Sequence, residues 1–117
     1  MTIEGIQQLS AQLPSVTEDL KWEHELCFCV GGKIFLMIPL ERTPTPASFK
    51  VADDEIEELL EREGFRPAPY LARYNWVTVE DMGLMNRAEW KERIAQSYQL
   101  VRSRLPKKIQ QQLDTGR

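Results

Sequence analysis

Leu26-Cys27-Phe28-Cys29-Val30-Gly31-Gly32-Lys33-Ile34-Phe35-Leu36-Met37-Ile38 is the stretch that decides the fold. Two apolar runs of strand length flank a glycine pair that tolerates the positive φ of a tight turn, so the stretch predicts an antiparallel hairpin. Just before it, Asp19-Leu20-Lys21-Trp22-Glu23 is expected to supply an edge strand whose charges discourage further pairing. Beyond a loop from Pro39 to Pro46, Ser48-Phe49-Lys50-Val51 resumes the sheet. Asn75-Trp76-Val77-Thr78-Val79 then adds a strand with Val77 and Val79 on one side and Trp76 and Thr78 on the other.

Helical spacing surrounds these strands. Ile3, Ile6, Leu9 and Leu13 recur at steps of three and four, which predicts a helix over residues 2–13, closed by Pro14. Asp53 and Asp54 open a second helix that buries Ile56, Leu59 and Leu60 and stops at Gly64, with Phe65 packing back on Leu60. Asn86 caps a third, with Glu89 three residues on and a stripe of Trp90, Ile94, Tyr98, Val101 and Leu105 ahead of Pro106. Lys107 to Leu113 allows one more helical stretch, and the end of the 109–117 tail, Asp114 to Arg117, is expected to fray. This order has too few crossovers for a parallel doubly wound sheet. It predicts an α+β fold, an antiparallel sheet of about five strands with helices packed on one face, in one domain spanning residues 1–117.

The 117 residues are 42% apolar and 28% charged, the composition of an ordinary globule. No apolar run approaches the roughly 18 residues of a membrane span, and Met1-Thr2-Ile3-Glu4 lacks the features of a secretory signal. A cytoplasmic monomer with no membrane partner is expected, where Cys27 and Cys29 would stay reduced. The net charge of −3 hides a division: residues 1–63 hold 5 Lys/Arg and 13 Asp/Glu, a net of −8, whereas residues 64–117 hold 10 and 5, a net of +5. Between Arg93 and Leu113 lie Arg93, Arg102, Arg104, Lys107 and Lys108 and no acid, and that tail end is where a polyanion would dock first.

One set of motifs resembles a known family. Trp22-x-His24-Glu25-x-x-Phe28-x-Val30-x-Gly32-Lys33-x-Phe35 comes first, followed by Pro67-Ala68-Pro69-Tyr70-Leu71-Ala72-Arg73-Tyr74-x-Trp76-Val77. Glu89-Trp90, Ser97-Tyr98-x-Leu100-Val101 and Leu105-Pro106-Lys107-Lys108 complete the set. Together these look like the MmcQ/YjbR family, from about Leu13 to Lys108. The resemblance implies a compact α+β domain related in shape to the frataxin-like fold, and a function as a "double wing" DNA-binding domain.

Candidate DNA contacts are Lys33, Lys50, Arg66, Arg73, Arg102, Arg104, Lys107 and Lys108. Lys33 sits where a hairpin tip could act as a wing, and Arg73 lies in a loop whose rings could stack on bases. Each also has a plainer reading as a solvated surface cation. Tyr70 and Tyr74 are candidate partner contacts, and the alternative function is a protein-interaction adaptor with no nucleic-acid role. At 100° per residue Lys91 and Arg102 fall on one flank of the third helix and Arg93 and Arg104 on the other, while Glu89, Glu92, Gln96, Gln99 and Ser103 take the exposed face. That helix is expected to support the core rather than read a groove.

His24-x-x-Cys27-x-Cys29 lacks a fourth ligand, and its odd spacing points His24 away from the thiols, so no metal site is expected. The acidic second helix, Asp53 to Glu63, reads as a solvated face, with weak cation binding as the alternative. No Gly-x-Ser-x-Gly, Walker or dinucleotide motif occurs, and Ser97 has no histidine to activate it, so neither an enzyme nor a cofactor is expected.

Overall fold

The computed structural model describes residues 1–115. In chain order it contains α1 (Ile3–Ala11), β1 (Val16–Lys21), β2 (Glu25–Val30), β3 (Lys33–Pro39), β4 (Ala47–Lys50), α2 (Ile56–Leu60), β5 (Phe65–Pro67), β6 (Trp76–Val79), α3 (Arg87–Arg102) and α4 (Lys107–Thr115). Short 3-10 turns at Ala72–Tyr74 and Met82–Leu84 complete the described elements. The strands form one sheet in the order β1-β2-β3-β4-β6-β5, and every neighbouring pair is antiparallel.

The glycine hairpin forms as expected, with Gly31 and Gly32 at φ 57° and 79°. Gly31 is fixed for a second reason: a Cβ there would lie 2.6 Å from Leu105 Cδ1 and 3.3 Å from Ile109 Cγ2. The hairpin tip is therefore docked against the start of α4. Within the hairpin the register shifts between Phe28 and Cys29, so Leu36 faces Phe28 while Ile34 faces Cys29. Phe35 is the extra residue of this bulge, and Phe35 and Leu36 both enter the core.

One face of the sheet carries Phe28, Leu36, Phe49 and Val77 in register across four strands, and α3 covers it. Trp90 is buried among them, edge-on to Phe49 at 5.9 Å, and its indole N–H donates to the Met82 carbonyl at 2.9 Å. Tyr98 stands edge-on to Phe35 and donates its hydroxyl to the Pro14 carbonyl at 2.7 Å, tying α3 to the end of α1. Asn86 caps α3 by accepting from the Glu89 N–H at 2.9 Å, as the sequence predicts.

The α+β architecture is as expected, and some of its details differ. The sheet has six strands, because Phe65–Pro67 pairs with β6 although it is only three residues long. The edge strand is Val16–Lys21 rather than residues 19–23, since Trp22 and Glu23 both adopt positive φ, 51° and 69°, and turn the chain instead. The second helix is confined to Ile56–Leu60, with residues 53–55 in a turn. The last helix forms over Lys107–Leu113 as expected but continues through Asp114 and Thr115 instead of fraying there: Leu113 packs on the core, and Asp114 is ion-paired to Arg102. Residues 116–117 of the expected tail lie outside the described residues.

A side chain closes the sheet where its ladder stops. The β3–β4 pairing ends at Leu36 with Phe49, so Phe35 and Lys50 would form the next pair. Instead the buried Ser97 hydroxyl donates to the Phe35 carbonyl at 2.6 Å and accepts from the Lys50 N–H at 3.0 Å. Gln96 beside it accepts from the Ala52 N–H at 3.2 Å, so this residue is half-buried rather than part of the exposed face. Both backbone strands are satisfied through α3.

Candidate polyanion-binding face

Among the described residues no α-helix covers the second face of the sheet. Cys27, Met37, Ser48 and Thr78 point to this side, as do Lys50 and Trp76, because side chains alternate along each strand. The segment from Pro67 to Asn75 lies over it, anchored by hydrogen bonds from the Ala68 N–H to the Trp76 carbonyl (3.0 Å) and from the Val51 N–H to the Asn75 carbonyl (2.9 Å). Leu71 of that segment borders two cavities, one on either side.

The first cavity, about 500 Å³, brings together Lys33 of β3, Lys50 of β4 and Arg104 beyond α3. Tyr74, Trp76 and Leu105 supply apolar wall, and no acid lines it. Lys50 is only 8% exposed, and its ammonium donates to the Tyr74 carbonyl at 2.9 Å. Burial holds its pKa below the ordinary lysine value, and the neighbouring Arg104 lowers it further, partly opposed by Asp53. Asp53 and Asp54 belong to an adjoining recess that shares Lys50 and Arg104, and Asp53 accepts from the Asn75 side chain. The uncompensated side of the cation group is therefore the Lys33 side.

The remaining candidates divide. Arg73 lies in the 3-10 turn with Tyr74, its guanidinium 4.9 Å above the Tyr74 ring. Lys107 and Lys108 are exposed at the start of α4, directly after Pro106, which also lines the cavity. Arg102 is not part of the group, because Asp114 pairs with it and its side chain is largely covered. Arg66 lies across Leu71 in the second cavity, with its Nε 3.4 Å from Glu80. Tyr70 is 99% exposed, whereas Tyr74 is half covered and forms cavity wall. Arg42, in the loop between β3 and β4 and not among the sequence candidates, joins Arg66 in the second cavity. The signal available was its position among three prolines, Pro39, Pro44 and Pro46, which fix a loop beside the sheet.

Backbone strain is concentrated at the same face. Trp22 and Glu23 are the central residues of a turn closed by the His24 N–H to the Lys21 carbonyl at 3.3 Å. Such a turn suits Asn-Gly, and a left-handed conformation costs other residues roughly 1–2 kcal/mol each. Tyr70 has φ 65° as well. Trp22, 68% exposed, and Tyr70 are thus both held outward at positive φ.

Cys27 and Cys29 are free and buried on this side of β2. Burial pushes the Cys27 thiol up to about 11, with Cys29 as the next cause, and burial raises Cys29 also. At pH 8 the folded protein should therefore react with DTNB about a hundredfold more slowly at Cys27 than an unperturbed thiol does, since the thiolate is the nucleophile. The folded-state pKa of Cys27 lies above its unfolded value, so its contribution to stability is complete below about pH 9 and is lost as pH rises through about 11. Urea midpoints at pH 8 and pH 10.5 check the sign, and a midpoint that rises with pH in a Cys27-dependent manner contradicts it.

Among the described residues no three His, Cys, Asp or Glu side chains gather to hold a metal ion, and no helix is long and apolar enough to cross a membrane. His24 instead lines the second cavity.

No curated protein matches the sequence. The chain is similar in structure to a Deinococcus radiodurans protein with a DUF419 domain, at 24% identity and a TM-score of 0.86 over 97% of this chain and 88% of that one. It is also similar to a Pseudomonas syringae protein, at 18% identity and a TM-score of 0.69 over 86% of this chain and 98% of that one. At such identities the likeness establishes the fold. The YjbR family profile matches residues 11–100, more than half of the chain, and the chain belongs to the YjbR family.

Proposed function

We propose that this domain binds DNA through its phosphates, without catalysis, using Lys33, Lys50 and Arg104 as the central contacts and Arg73, Lys107 and Lys108 around them. The observation that carries the reading is the convergence of three cations from distant parts of the chain on one cavity whose lining has no acid. Arginine and lysine side chains recognise phosphate wherever the backbone of a nucleic acid passes, and rings such as Tyr74 accept a base face without demanding a sequence. Arg102 and Arg66 are left out, one masked by Asp114 and the other set apart beside Glu80. A binding role rather than an enzymatic one fits the use of Ser97, whose hydroxyl is fully committed between Phe35 and Lys50. Buried free thiols suit the reducing cytoplasm.

Anisotropy titration of a fluorescein-labelled DNA of about 20 nucleotides, repeated across salt, tests this. With six phosphate contacts on duplex DNA the logarithm of affinity should fall by about 5 per decade of salt, and Lys33→Ala with Arg104→Ala should reduce that slope by about 2. Arg102→Ala should leave it unchanged. Absence of binding at low salt removes the proposal.

A second reading, a protein-interaction module, draws on Tyr70, which stands 99% exposed at positive φ. Recovery of one defined protein partner, lost on Tyr70→Ala and kept on Lys33→Ala with Arg104→Ala, would favour it over DNA.

A further inference from the structure

The second cavity has a different chemistry from the first. It encloses about 440 Å³ over Met37, Ser48 and Thr78 of the open sheet face, within the size range of small-molecule sites. Arg42 enters it from the loop between β3 and β4 and Arg66 from β5, and both also border an adjoining recess of about 390 Å³, so their side chains stand between the two spaces. Among the described residues Arg42 has no ion pair, while Arg66 is held by Glu80 through Nε at 3.4 Å. One guanidinium is thus free and the other is partly engaged. The Ser48 and Thr78 hydroxyls on the floor are 2.8 Å apart and bond to each other.

One large aromatic side chain, Trp22, forms part of the rim. Trp22 borders the cavity and keeps its indole 68% exposed through a turn that requires left-handed backbone at a large residue. On the other side Tyr70 is flanked by Pro69 and Leu71, both of which line the cavity, and it too has positive φ. Conformations of this kind persist where the surrounding structure over-determines them, and the one at Trp22 presents its ring at the rim, whereas the Tyr70 side chain points into solvent outside the lining. Guanidinium groups match the planar geometry of a carboxylate, and an exposed indole offers its face to another ring. Glu25, also at the edge, and Glu80 disfavour a second negative charge.

We propose that this cavity is a binding site for a small planar aromatic monocarboxylate, with its carboxylate on Arg42 and Arg66 and its ring against Trp22. The site is independent of the phosphate-binding group beyond Leu71, and either can fail without the other.

Titration of the 15N-labelled chain of 117 residues with 2-naphthoate tests it. The three tryptophans give three indole N–H signals, and Trp22→Phe identifies the one that matters. That signal should shift in a saturable way with 2-naphthoate, while the signal of buried Trp90 stays in place and reports an intact fold. Binding should be at least about tenfold weaker for neutral 2-naphthamide, and for Arg42→Gln with Arg66→Gln, since charge-assisted hydrogen bonds of this kind are worth a decade or more in affinity. Equal binding of acid and amide, an unchanged affinity in the double variant, or no saturable shift overturns the assignment. Tighter binding of adenosine monophosphate than of 2-naphthoate at the same signal also overturns it, because the cavity would then belong to nucleotide recognition. DNA binding should persist in the Arg42→Gln, Arg66→Gln variant.

Discussion

Trp90→Ala is expected to lower the unfolding free energy by about 3–5 kcal/mol, the range for truncating a large aromatic in a core. A small domain has about 5–15 kcal/mol in total, so this variant should be substantially unfolded at modest urea concentrations. Three losses combine at this position. The side chain has no exposed surface, its ring packs edge-on against Phe49, and its N–H satisfies the Met82 carbonyl at 2.9 Å. Without the indole, the 82–84 turn loses its tie to α3 and a void opens under the centre of the sheet. Trp90→Phe should recover roughly half of the loss, because it restores most of the ring but not the hydrogen bond. Equilibrium urea unfolding followed by far-UV circular dichroism measures both, and a loss under about 1 kcal/mol for the alanine variant contradicts this account of the core.

Ser97→Ala should cost about 2–3 kcal/mol although it removes a single oxygen. The hydroxyl stands in for a missing rung between β3 and β4, so its removal leaves a buried carbonyl at Phe35 and a buried N–H at Lys50 without this partner. Each such group costs about 1–3 kcal/mol when left unmade. The backbone N–H of Lys50 is involved, so the same variant should loosen the cation group: hydrogen exchange at Lys50 should accelerate, and DNA affinity should fall more than stability alone explains. Ser97→Thr retains the hydroxyl and separates the two contributions, since the extra methyl meets a fully packed site. Unchanged exchange at Lys50 in Ser97→Ala would mean that the ladder closes by itself.

Most of the architecture is legible in the sequence because it rests on local signals. Gly31-Gly32 between two apolar runs dictates a hairpin, and Asn86 with Glu89 marks the start of α3. β5 is not legible, since three residues ending in Pro67 carry no period, and only pairing with β6 makes them a strand. The Trp22-Glu23 turn violates the residue preference of its own backbone, so local reasoning extends the strand through it.

The candidate site is less legible than the fold. Lys33, Lys50 and Arg104 are each visible as cations, but their meeting depends on the bulge at Phe35, the end of α3 and the segment that lies over the open face. Arg102 lies only two residues from Arg104, yet Asp114 in the next helix draws it away. Ser97 carries no catalytic pattern, and its structural duty becomes apparent only once Phe35 and Lys50 are adjacent.

The meander of the first four strands has a consequence for synthesis. Residues 16–50 can pair with one another as soon as they leave the ribosome, but the helix that shields their greasy side begins at Arg87. Until some fifty further residues emerge, Phe28, Leu36 and Phe49 face water on an incomplete sheet with open edges, which is when a nascent chain is most prone to stick to its neighbours. Slow translation between these segments would prolong that interval, and a holding chaperone would find its target there.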